Sequence, residues 1–128
     1  GHNSNFSDAQ IGVPLIAHFP SQESKQIKYR TTHYDIIPTL MHDYLGVKNA
    51  LEDYSMGKLL RDTSPRTWHL VGSNLNYAFI VEGDTILEKT AEGNLDVYDP
   101  KMKPIPNYKM NAKKFNEAMA RLNAFFKH

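Results

Sequence analysis

Six histidines, a few carboxylates and two early serines are the residues here that could do chemistry. His2 is the first of them. It follows Gly1 in a polar loop, Gly1-His2-Asn3-Ser4, a few residues ahead of an apolar run. An imidazole there could donate to a charged ester oxygen, or bind a metal ion as the neutral ring. The simpler reading is a terminal histidine in a loose tail or a tag remnant. His18 falls within the apolar run and reads as a buried histidine bonded to backbone. His33 reads as a first-turn helix residue. His33 and His42 are nine apart, not the four that place two ligands on one helix face. His69 and His128 show no metal spacing either. Ser4 and Ser7 lie near His2 in sequence, which says nothing about nucleophile geometry. Asp35 stands three residues after Thr32 and reads as half of a capping box, not as a catalytic acid. Asp96 and Asp99 bracket a strand end and would need other oxygen ligands to hold calcium.

The elements that would position these groups follow from the apolar pattern. Residues 1–10 are polar and loop-like. Residues 11–19, Ile-Gly-Val-Pro-Leu-Ile-Ala-His-Phe, are apolar almost throughout, which predicts a strand buried on both faces. Pro14 within it requires an edge, a bulge or a strand start. Residues 20–31 are charged. Ile36, Ile37, Leu40, Met41, Tyr44 and Leu45 recur with helical period, so a helix is expected at about 32–45. It should bend at Pro38 and stop at Gly46.

Residues 47–66 are irregular. Four short strands are predicted next, at 68–72, 77–81, 85–89 and 95–98. Glu82-Gly83-Asp84 and Glu92-Gly93-Asn94 supply turns between them. Asn111 then caps an amphipathic helix that should run to 127. Its stripe is Phe115, Met119, Leu122, Phe125 and Phe126, with Ala118 beside it. The fold class is α+β: a four-stranded antiparallel sheet over about 67–99 with the terminal helix packed on it, preceded by one strand and one helix. The expected division is 1–46, a connecting segment 47–66, and 67–128.

Composition excludes several classes. The chain has 128 residues, enough for one modest domain. Fifteen Lys and Arg against fourteen Asp and Glu leave a net charge of +1, so nucleic acid is not an expected partner. There is no cysteine, hence no disulfide and no thiolate metal site. No apolar run is long enough to cross a bilayer. The chain opens on Gly1 and not on Met, so any targeting segment is expected upstream.

The order of these segments resembles a known family. A Gly-His loop leads into Val13-Pro14-Leu15-Ile16. Thr32-His33-Tyr34-Asp35-Ile36-Ile37-Pro38-Thr39-Leu40 follows, and Leu95-Asp96-Val97-Tyr98-Asp99-Pro100 comes late. Together they resemble the C-terminal part of the sulfatase branch of the alkaline phosphatase superfamily. The subgroup they resemble most is the YejM-type, membrane-anchored, sulfatase-like proteins of Gram-negative bacteria.

The resemblance implies that residues 1–46 complete a larger α/β domain. That domain would bind a divalent metal, held mainly by residues outside this chain, and would carry a nucleophile that is also absent here. His2 is the one residue the resemblance marks as catalytic, touching the ester's oxyanion or a second metal. The implied function is the C-terminal portion of a metal-dependent ester hydrolase or transferase, inert alone. It would lie on the periplasmic face of the inner membrane, with its anchor outside this chain, in a protein of lipid A or phospholipid homeostasis. Its partners would be the upstream part of the same protein and an envelope lipid or a regulatory membrane protein. Ile11, Val13, Leu15 and Ile36 would then meet the missing parts.

Two alternatives stay open. One is a non-catalytic lipid- or protein-binding regulatory module on the same fold. The other is an independent small α+β domain.

Overall fold

The computed structural model describes residues 5–20, 22–73, 76–81 and 84–124. Contacts divide the chain into two compact units, one of residues 1–17 with 66–128, the other of residues 18–65.

The first unit is built on a sheet of four strands: β1 (His69–Ser73), β2 (Asn76–Ile80), β3 (Ile86–Lys89) and β4 (Leu95–Tyr98). They lie in sequence order, each antiparallel to the next. Alternation along the strands sorts the side chains to two faces. Register pairs Leu70 with Phe79 and Phe79 with Leu87, so these share one face. Val71 pairs with Ala78, and Ile80 with Ile86, on the other.

Both faces are covered. On the first, Phe79 meets Phe115 edge to face, with ring centroids 5.5 Å apart, and Trp68 at 6.3 Å. Phe115 belongs to α3 (Ala112–Ala124), which also buries Ala118 and Leu122. Asn111 caps α3 as expected, its Oδ1 accepting from the Lys114 N–H at 3.1 Å. Phe125 and Phe126 lie outside the described residues.

Phe6 closes the second face. It is buried with Ala78, Ile80 and Ile86, and Ile11, Val71, Tyr98 and Met102 pack around them. A single helical turn, α1 (Asp8–Ile11), follows Phe6. Its Asp8 N–H donates to the Pro100 carbonyl at 3.2 Å. The N-terminal segment expected as a loop is therefore part of the sheet's cover.

Beyond β4 the chain doubles back. Asp99 Oδ1 accepts from the backbone N–H groups of Lys101 and Lys103, and the Ile105 N–H donates to the Val97 carbonyl. This return shields part of the outer edge of β4, and Pro104 and Pro106 keep it from extending further.

The strand expected at 11–19 does not form. After Ile11 the chain has no regular secondary structure through Phe19. The Val13 N–H turns back to the Ile11 carbonyl, Pro14 has no N–H, and no described strand offers a ladder. Val13, Leu15 and Ile16 are exposed, Ile16 at 93%. Burial on both faces, which the continuous apolar run implied, is absent.

The second unit centres on a helical stretch from His33 to Tyr44. It begins as a 3₁₀ turn (His33–Asp35), continues as α2 (Ile36–Thr39) and widens to a π turn (Leu40–Tyr44). The Leu45 N–H reaches back to the Leu40 carbonyl at 3.1 Å. Pro38 explains the irregularity: it withholds an N–H from the ladder, and the following turns readjust. Gly46, at φ 69°, ends the stretch in the left-handed region as anticipated.

Candidate functional site

His2 and Ser4 lie outside the described residues, as does His128. His18 is exposed, not buried, because the run that carries it is not a strand. His33 is exposed in the first helical turn, as expected. Ser7 precedes α1, and its N–H donates to Asn5 Oδ1. Asp96 is exposed opposite Glu88 on β3, and Asp99 shapes its own turn. Among the described residues no group of three or more His, Asp or Glu side chains is placed to hold a metal.

The best-built polar cluster surrounds Asp35, which is fully buried. Its Oδ2 accepts from the Thr32 N–H at 2.7 Å, closing one half of the capping box. Its Oδ1 accepts from the Lys58 N–H at 2.8 Å. One helical turn on, the Thr39 hydroxyl donates to the Asp35 carbonyl at 2.7 Å and accepts from the Leu60 N–H at 2.7 Å. The Ser55 hydroxyl donates to the Tyr34 carbonyl and accepts from the Gly57 N–H, both at 2.9 Å. Tyr29 donates its phenol to the Leu60 carbonyl.

Three side chains thus fasten segment 55–60 to the start of the helical stretch. The approach is close: a Cβ on Gly57 would stand 1.9 Å from the Tyr34 carbonyl oxygen. A carboxylate buried in this way, with each oxygen committed to a backbone donor, acts as an anchor and not as a general base. The capping half of the cluster was visible in the Thr32–Asp35 spacing. Its partners at 55–60 carried no periodic signal beyond Gly57.

A second polar group lies at the π turn. Arg61 binds the Asp43 carboxylate with two nitrogens, Nε at 3.1 Å and Nη2 at 3.0 Å. His42 Nδ1 lies 2.8 Å from Asp43 Oδ1. The Arg61 hydrogen bond is the main cause that holds the Asp43 carboxyl below its ordinary range, and His42 adds to it. This cluster is exposed and its charges satisfy one another, so it supplies no substrate pocket.

Geometry therefore defines a class: one unit is a four-stranded antiparallel sheet with a covering helix, and the other is a helical unit pinned by buried polar groups. Comparison with known proteins adds a relationship. Over 54 residues, 42% of the chain, it is 33% identical to the inner membrane protein YejM of Salmonella typhimurium, and equally to the protein of that name in Salmonella typhi. Over 95 residues, 73% of the chain, it is 28% identical to an uncharacterized protein of Haemophilus influenzae. The matched stretches span 9% of the Salmonella proteins and 16% of the Haemophilus protein, so the chain corresponds to a small part of these relatives. No family model matches the chain. The similarity is a partial one to a bacterial inner membrane protein. Among the described residues no helix is long and apolar enough to cross a membrane.

Proposed function

We propose that this chain is the C-terminal part of a sulfatase- or phosphatase-like, metal-dependent ester hydrolase or transferase domain. It faces the periplasm in a protein anchored to the inner membrane and concerned with lipid A or phospholipid in the envelope. The observation that carries this reading is the 33% identity to YejM over 54 residues. The order of the Gly-His loop, the Thr32–Leu40 helix and the late Asp-Val-Tyr-Asp strand supports it.

The described residues do not fit a divalent-metal site, since no three candidate ligands converge. No step of ester cleavage is assigned to them. The nucleophile and the main metal ligands belong, in this reading, to polypeptide preceding Gly1. The contribution of this chain is His2, for contact with the ester oxyanion or a second metal, and the scaffold around it. The upstream polypeptide is also the proposed partner of Val13, Leu15 and Ile16. These three apolar side chains are exposed together on a stretch of four residues. Such a patch gains stability when another surface removes it from water.

The test uses the longer protein that contains this sequence, purified in detergent. Hydrolysis of 4-nitrophenyl phosphate and 4-nitrophenyl sulfate is measured with Mg²⁺, Mn²⁺, Ca²⁺ and Zn²⁺ and after chelation. Metal-dependent turnover that falls at least tenfold in His2→Ala supports the reading. Turnover indifferent to metal and to His2 overturns it. Saturable binding of lipid A or phospholipid vesicles without turnover would favour the regulatory binding module instead.

A further inference from the structure

We draw no further inference here: the strongest candidate, the exposed apolar stripe of Ile37, Leu40, Tyr44 and Leu45 along the helical stretch of residues 33–45, carries nothing because nothing in the structure shows what covers it.

Discussion

The backbone N–H of Lys58 donates to Oδ1 of the buried Asp35 at 2.8 Å, across 23 residues of sequence. The same carboxylate accepts from Thr32 through its other oxygen. One side chain therefore caps the helical stretch and holds a distant segment against it. Replacing Asp35 by Ala leaves both N–H groups without that acceptor, at an expected cost of about 2–4 kcal/mol. Asp35→Asn should cost less, because its amide oxygen can still accept one of the two bonds. Urea denaturation would measure the loss. Hydrogen exchange at the Lys58 and Leu60 amides should accelerate first. Unchanged exchange at both amides in Asp35→Ala would remove the anchor role.

Gly57 tests the same junction by steric means. A Cβ there meets the Tyr34 carbonyl carbon at 2.3 Å and the Asp35 nitrogen at 2.7 Å, atoms of the main chain that cannot rotate away. Gly57→Ala should cost about 2–3 kcal/mol through forced separation of the two segments. Gly46→Ala is the control. It meets nothing within 4 Å and loses only the tolerance for φ 69°, about 1 kcal/mol. Thermal melts of the two variants should rank in that order.

Phe79 lies between Trp68 and Phe115 and is fully buried. Phe79→Ala should cost about 3–5 kcal/mol. It should also shift Trp68 emission to the red, because the indole loses a ring neighbour. Phe6→Ala should cost a comparable amount by opening the opposite face, yet leave Trp68 emission nearly unchanged in the folded state. Equal emission shifts in the two variants would contradict the assignment of these residues to different faces.

Asp43 supplies a pH dependence. Arg61 and His42 hold its folded-state pKa below the ordinary 3.8. A depressed carboxylate stabilises the fold fully above its unfolded pKa, and that contribution is lost as pH falls through the folded value. The difference in denaturation midpoint between the unaltered protein and Asp43→Asn should therefore be constant near neutrality and shrink below about pH 4. High salt should shrink it too, since the ion pair is exposed. A difference that grew on acidification would reverse the sign of the argument.

The four strands were legible as short runs rich in apolar, β-branched and aromatic residues, the last two separated by a clear turn signal. Gly93 sits at φ 90° between β3 and β4, as Glu92-Gly93-Asn94 implied. The start of α3 was legible from Asn111. The run from Ile11 to Phe19 was not. A continuous apolar sequence names no face, and strand formation depends on a hydrogen-bonding neighbour that local sequence cannot reveal. Phe6 was missed for the opposite reason: one aromatic among polar residues has no period to detect. The helical stretch was placed correctly, but its passage from 3₁₀ to α to π depends on how the chain readjusts around Pro38. Of the candidate site, Thr32 and Asp35 were readable as a cap, while the backbone donors at 58 and 60 are independent of side-chain identity. His2, the residue the resemblance singled out, lies outside the described residues.

The plugging of the sheet's second face by Phe6 has a practical consequence for dissecting this polypeptide. Removing residues 1–6 would unseal a greasy surface over β2 and β3 and invite clumping. A shortened version that starts after residue 6 should be the less soluble one, even though it discards mostly hydrophilic sequence.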